Sequence, residues 1–360
     1  MRFSVINLSL IASAFLTSLA SATPQFAVRY NKSCQTCHVN PTGGGMRSMH
    51  GAQIFSYMEL PWKELDDFSE LENFNPKVGK NFQFGVDFRT LYYTSDDPTF
   101  GNSFLTMEGT FYTAIAPTDK TLVYLAKGLY SSFEGFVLFR DLPMFGAVRA
   151  GRFTPAYGWR SPDHNTYTRS YLGYGQGRGN EDGVEFGLYP SDWEVSASIT
   201  NGSVGITDGD RGKTTSVRAL KRHSFGDLNL TAGGSWRYAE FNLGKGQPVL
   251  TPLTRTFGPL WGLNWGKWTY LGEIDWNDAT ATSLVVSHSL GFLVKQGWNI
   301  SAAYDFYDPD TDTKNGANWR TRIGAEIFPA GYLELMPGFV WERVSGRERG
   351  TGELQLHVWF

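Results

Sequence analysis

Charge is scarce in this chain. Asp, Glu, Lys and Arg make up 19% of its 360 residues and the formal net charge is only −3, which excludes a basic nucleic-acid-binding surface. Cysteine is scarcer, at two residues, so neither a disulfide framework nor a four-cysteine metal site can be built. Beyond the first twenty-odd residues no uncharged apolar run approaches the roughly 18 residues a membrane-spanning helix needs. Glycine, by contrast, is abundant at 41 residues, and aromatic residues reach 15%. That balance disfavours a helical bundle and favours many short strands joined by glycine-rich turns. A hydrophobic content of 41% excludes intrinsic disorder. Mean hydropathy is slightly polar, as expected where only every second residue of a strand meets lipid. Two candidates remain, a secreted β-sandwich and an outer-membrane β-barrel.

The N-terminus reads as a secretory signal. Met1-Arg2 supplies a positive start, residues 3–19 carry no charge, and Ala20-Ser21-Ala22 has the A-x-A cleavage pattern. Cleavage after residue 22 takes the mature chain out of the cytoplasm.

From about residue 78 the sequence falls into short alternating segments. Phe82, Phe84, Val86 and Phe88 alternate with Gln83, Gly85, Asp87 and Arg89; Trp193, Val195, Ala197 and Ile199 with Glu194, Ser196, Ser198 and Thr200; Leu354, Leu356, Val358 and Phe360 with Glu353, Gln355, His357 and Trp359. A period of two with one apolar and one polar face belongs to a strand whose sides meet different solvents. Tight connections are predicted near 116–120, 141–146, 189–192, 224–228, 265–268, 295–298 and 328–332. Between them lie connections near 94–103, 131–133, 154–180, 201–213, 240–255, 277–282, 308–317 and 344–352, mostly longer and rich in Gly, Asp and Asn. Short and long breaks taking turns describe an outer-membrane barrel, and these breaks join about 16 strands. Aromatics near strand ends, such as Tyr92-Tyr93, Trp265, Trp268, Trp276, Trp298 and Trp341, fit interfacial girdles. At polar parity, Asp87, Arg89, Glu108, Glu134, Arg140, Glu185, Glu194, Asp275 and Glu326 are expected to line or plug the lumen. No pair among them stands out as a general acid and base. Gly173 to Gly179 has alternating glycines but does not join a strand to a helix, so it reads as a loop rather than a phosphate cradle.

Chemistry concentrates in Ser33-Cys34-Gln35-Thr36-Cys37-His38. A disulfide, a thioredoxin-like pair or half of a zinc site are alternatives for Cys-x-x-Cys. No βαβ unit surrounds it, and no second cysteine pair completes a zinc site. The adjacent His is what c-type haem attachment requires: both thiols add to the haem vinyls and His38 lies beneath the iron as proximal ligand. One covalent haem c is therefore expected on Cys34, Cys37 and His38. For the sixth iron position the candidates are His50 or Met46, since Met46, Met49 and His50 share one face of a helix at i, i+3 and i+4 spacing after the flexible turn Pro41 to Gly45. His164, His223, His288 and His357 are weaker candidates. Residues 23–77 form the monohaem segment and its connector, with Lys63 through Asn75 acidic and solvated; residues 78–360 form the barrel.

With Phe26-Ala27-Val28-Arg29-Tyr30 before the motif, Pro41, Gly51 and Phe55 after it, and a barrel ending at Phe360, the chain resembles the fused monohaem cytochrome c–porins of the bacterial outer membrane, best known as ferrous-iron oxidases. The resemblance implies an all-β transmembrane barrel in the outer membrane of a Gram-negative bacterium, passing electrons between extracellular iron or another redox partner and a periplasmic carrier such as a soluble cytochrome c. It also implies a ferrous-iron:cytochrome oxidoreductase. The Gly43-Gly44-Gly45 insertion with Met46 and His50 departs from the iron-oxidase pattern and leaves donor and direction open. A diffusion porin with a haem-bearing plug and a haem-based sensor are the alternatives. Gly151-Arg152-Phe153-Thr154-Pro155 with Asp163-His164 also looks like a loop found in other outer-membrane porins.

Overall fold

A computed structural model of the chain describes residues 23–62, 74–97, 101–129, 133–161, 163, 165–174, 179–202, 208, 212–240 and 253–360. The signal sequence, most of the acidic connector, the middle of the 173–179 glycine run and His164 lie outside the described residues. No helix among them is long and apolar enough to cross a membrane.

Strand formation follows the alternation read from the sequence. The two-residue β1 (Lys77–Val78) pairs with the start of β2 (Phe82–Ser95). The chain continues through β3 (Asn102–Thr118), β4 (Thr121–Gly128), β5 (Glu134–Leu142), β6 (Gly146–Phe153), β7 (Glu181–Leu188), β8 (Trp193–Thr200), β9 (Thr214–Phe225) and β10 (Leu228–Glu240). It ends with β11 (Leu253–Trp265), β12 (Trp268–Asp278), β13 (Thr282–Lys295), β14 (Trp298–Asp308), β15 (Asn318–Ala330), β16 (Leu333–Val344) and β17 (Arg347–Trp359). From β2 onward each strand pairs antiparallel with the next, and β17 pairs back onto β2 with Trp359 opposite Asp87. The result is a closed cylinder of 16 long strands without an open edge, the solution that satisfies every backbone group inside lipid.

All seven tight connections fall where they were expected and share one end of the cylinder. At the other end two connections are shorter than read. The stretch 344–352 is mostly strand, because Ser345 and Gly346 both take left-handed backbone angles (φ 52° and 78°) and close a two-residue hairpin. Likewise 277–282 shrinks to three residues between β12 and β13.

The outer face presents Phe111, Phe186, Ile199, Ile323, Phe339 and Leu354, all largely exposed, a belt suited to lipid. Asp87, Arg89, Glu108, Glu134, Glu185, Glu194, Asp275 and Glu326 are buried on the inner face as their parity requires. Arg140 is not. The pairing of β5 with β6 slips between Phe139 and Leu142, so Arg140 stands exposed at the short-turn rim, donating to the Asp119 carbonyl at 2.8 Å. Nor is the inner face polar throughout. Tyr112, Leu122, Tyr124, Phe136, Leu138, Phe153 and Tyr189 form an apolar wall inside the cylinder.

A sixteen-strand cylinder is wider than its own side chains can fill, and two segments occupy it. Residues 23–62 fold in from the short-turn end. Residues 154–161 turn inward from the other: the Tyr157 hydroxyl donates to Asp275 Oδ1 at 2.6 Å, Gly158 N to Ser235 Oγ at 2.8 Å and Trp159 N to Glu273 Oε2 at 2.9 Å. Arg149 ties both to the wall. Its guanidinium pairs with Glu185 at 2.8 Å and donates to Asn40 Oδ1 at 2.8 Å, Thr42 Oγ1 at 3.3 Å and the Thr154 carbonyl at 3.1 Å. Arg149→Ala leaves Glu185 buried without its cation, a loss of about 3–5 kcal/mol. The expected outcome is a lower unfolding midpoint in detergent together with higher conductance in planar bilayers than the unaltered chain.

Candidate functional site

The N-terminal segment is organised around the cysteine motif. A first helix, α1 (Pro24–Arg29), lays its buried Val28 against the barrel wall. Arg29 Nη1 donates to Asn299 Oδ1 at 2.9 Å, and the Arg29 carbonyl accepts from Asn229 Nδ2 at 2.8 Å. Proline at the first helical position suits a helix start. A single turn, α2 (Cys34–Cys37), follows Ser33 and closes with the His38 amide on the Cys34 carbonyl at 3.1 Å. That turn sets both thiols and the imidazole on one side.

The chain then doubles back. Gly43, Gly44 and Gly45 take φ of 89°, 76° and 65° in succession, a path side chains with a Cβ resist. The turn is therefore fixed rather than flexible: Asn40 and Thr42 are fully buried. It brings Arg47 opposite His38 as an antiparallel bridge, with Val39 N on the Met46 carbonyl at 3.0 Å. Placed in a bend before that bridge, Met46 lies outside the helix and does not share a helical face with His50. The helix that follows, His50–Glu59, is wound with π-type hydrogen bonds, of which Ser56 Oγ to the Gly51 carbonyl at 2.7 Å is a side-chain echo. Helix and motif interlock at Gly51, where a Cβ would lie 2.0 Å from the Cys37 carbonyl oxygen. Ser48, which the sequence did not single out, clamps the two: its hydroxyl donates to the Thr36 carbonyl at 2.7 Å and its amide to the Cys37 carbonyl at 2.9 Å.

Cys34, Cys37, His38 and His50 line one cavity of about 280 Å³ in the short-turn half of the lumen, near the lower end of sizes usual for bound small molecules. Rings of Phe26, Phe55, Phe328, Trp159 and Trp359 share its lining, as do Arg47, Arg89, Arg160 and Arg218. Thr23, Tyr30, Lys32 and Glu59 mark its short-turn side. The structure separates the two distal candidates. His50 is at the cavity, whereas Met46 packs into the apolar inner wall beside Tyr112 and Tyr124. His357 is at the cavity too, with Nδ1 2.8 Å from Glu334 Oε2 and Nε2 3.0 Å from Asp87 Oδ1, so carboxylates engage both ring nitrogens. His288 sits on β13 with Nδ1 2.9 Å from the Tyr270 hydroxyl, away from the site.

Burial pushes the Cys34 thiol up to about 12, helped by Glu194, and burial pushes Cys37 to about 11. A thioredoxin-type pair depends on the opposite shift. Burial first, then the positive charges of Arg47 and Arg160, bring His38 down to about 3, which keeps the imidazole neutral and able to bind a metal through a lone pair. The two cysteines are not joined to each other. Among the described residues no three His, Cys, Asp or Glu side chains converge on a metal-ion site, so the zinc alternative lacks its ligands. One c-type haem fits what is present. Two unjoined thiols sit one turn apart, the adjoining His38 lines the same cavity, and aromatic rings line the space.

No protein-family model and no curated protein sequence matches the chain. Solved structures do match its fold. The outer membrane protein OpdK from Pseudomonas aeruginosa superposes with a TM-score of 0.54 at 11% identity, covering 79% of this chain and 100% of its own. OmpT of Vibrio cholerae gives 0.55 at 12% identity over 79% and 100%, and Pseudomonas putida OprB gives 0.56 at 8% over 78% and 94%. The chain thus has the porin-like barrel fold of outer-membrane proteins.

Proposed function

We propose that this chain is an outer-membrane electron carrier with a single haem c bound covalently inside the barrel. The observation that carries this reading is the convergence of Cys34, Cys37, His38 and His50 on one ring-lined cavity within the lumen. When bound, the haem supplies a one-electron couple. The chain's part is to hold and shield it: Cys34 and Cys37 would fix the porphyrin, and His38 and His50 would offer imidazole ligands to its iron. The aromatic walls keep water away, which is one of the protein's levers on potential. Two segments that meet in the lumen oppose solute passage, whereas an electron needs no open channel.

In this reading the short-turn end faces the periplasm, where the cavity adjoins Tyr30 and Lys32 and a soluble cytochrome or similar carrier exchanges electrons. The donor meets the long-loop end, where Asp96, Asp97, Asp308, Asp310 and Asp312 give a local field that attracts ferrous iron. That donor assignment makes the chain a ferrous-iron:cytochrome oxidoreductase. The second reading, a diffusion porin plugged by the haem segment, draws on the barrel shared with OpdK, OmpT and OprB. Sizeable conductance of the unaltered chain in planar bilayers decides for it.

Three outcomes are expected of protein matured in a cell equipped for cytochrome c assembly. The pyridine haemochrome gives one haem per chain, Cys34→Ser shifts its α-band to the red because one thioether is lost, and the Cys34→Ser/Cys37→Ser double variant is colourless; a coloured double variant refutes covalent attachment. His50→Ala opens the sixth position, so the reduced variant binds CO readily where the parent binds it slowly or not at all; equal CO binding by both removes His50 as ligand. Ferrous iron added to the oxidised protein raises the reduced α-band, and its absence across acid and neutral pH removes iron as the donor.

A further inference from the structure

Four arginines line the cavity, and their partners differ. Arg89 lies 3.3 Å from Asp87 and 3.6 Å from Glu108. Arg218 pairs with Glu194 at 2.6 Å. Arg47 and Arg160 make no direct ion pair among the described residues: the carboxylates in electrostatic range include Asp87, already engaged by Arg89 and His357, for Arg47 and Glu134 for Arg160. The Arg47 guanidinium lies over the Trp359 ring, 4.7 Å from its centroid. Arg160 donates from Nη1 to the Gly43 carbonyl at 2.6 Å, while its Nε is buried without a hydrogen bond.

Both charges act on His38, so both guanidiniums lie within electrostatic range of the imidazole. Both come from segments that fill the lumen rather than from the wall: Arg47 from the bridge beside the cysteine motif, Arg160 from the inward loop. A buried cation without a direct, hydrogen-bonded anion is costly, and a carboxylate on a ligand can supply that contact. A guanidinium presents a planar fork that matches a carboxylate.

We infer that Arg47 and Arg160 anchor the two propionates of the haem, one each. The inference rests on the haem reading above and adds which residues orient the porphyrin within its cavity. A porphyrin fixed at one edge by Cys34 and Cys37 retains an acidic edge, and the two guanidiniums that make no direct ion pair are what the cavity offers to it. Arg160 then has a second role. It joins the inward loop to the glycine turn and to the cofactor, so that the two lumen-filling segments are held together across the prosthetic group.

The test is spectroelectrochemistry on haem-loaded full-length protein, comparing the parent with Arg47→Gln, Arg160→Gln, the double variant, and the charge-keeping Arg47→Lys and Arg160→Lys. Loss of a positive charge near the iron favours the ferric state. Each Gln variant is expected to lower the reduction potential, changing the ferrous-to-ferric ratio at fixed poise on the order of tenfold. The Lys variants restore most of it. Resonance Raman of the Lys variants is expected to show a shifted propionate bending mode, because the bidentate fork is gone while the charge remains; this readout serves where a Gln variant accumulates no haem. Full haem loading with both potential and propionate mode unmoved overturns the assignment while leaving the haem reading intact. A parent protein without a pyridine haemochrome overturns the haem reading itself, and the assignment with it.

Discussion

The ion pair between Arg149 and Glu185 holds the interior of this barrel together. Arg149 is nearly inaccessible to solvent and lies over the Phe153 ring, 4.1 Å from its centroid. From that position it reaches the N-terminal turn through Asn40 and Thr42 and the inward loop through Thr154. A charge buried this deeply is tolerated because Glu185 balances it and because both terminal nitrogens donate, Nε alone being buried without a partner among the described residues. The apolar wall of Tyr112, Tyr124 and Phe136 gives the turn something to pack on; the arginine decides where it packs. Without a fixed turn, Arg47 would not face His38, and the cavity would lose one side.

Much of this architecture was legible in the residues. The sequence from Phe82 to Arg89 alternates because its two sides meet different surroundings, and the same logic located the sixteen strands and every tight turn. That Cys34, Cys37 and His38 stand together was legible because they are neighbours in sequence. What escaped depends on partners distant in sequence. Arg140 has inward parity, yet a slip in pairing with β6 puts it at the rim. Met46 stands at helical spacing from His50, yet three left-handed glycines and the Arg47 bridge to His38 keep it out of the helix. The run 344–352 is rich in Gly, Arg and Glu like a loop, but Ser345-Gly346 suffices as a hairpin and the rest pairs with β16. The inner apolar wall was hidden because β4 carries apolar residues on both faces: Leu122, Tyr124 and Ala126 inward, Val123 and Leu125 outward.

The cavity draws on parts of the chain far apart in sequence. Its floor is the N-terminal segment, its sides are β9, β15, β16 and β17, and its inner limit is Trp159 and Arg160 of the long inward loop. The fold resembles that of outer-membrane proteins at identities of 8–12%, and such a frame accommodates many contents. The cysteines and histidine, rather than the barrel, give this one its proposed chemistry.

One consequence concerns biogenesis. Leu220 on β9 and Trp359 on β17 face the same cavity from separate parts of the cylinder, and the last strand closes the ring against β2. Both thiols are half-buried rather than sealed off, but the turn that carries them is docked inside the cylinder, where an enzyme of protein size cannot enter. In the proposed reading, the prosthetic group must be stitched on while the polypeptide is still in unfolded transit. Haem ligation then sets a deadline for membrane insertion, and a chain that closes too early is trapped in an apo form.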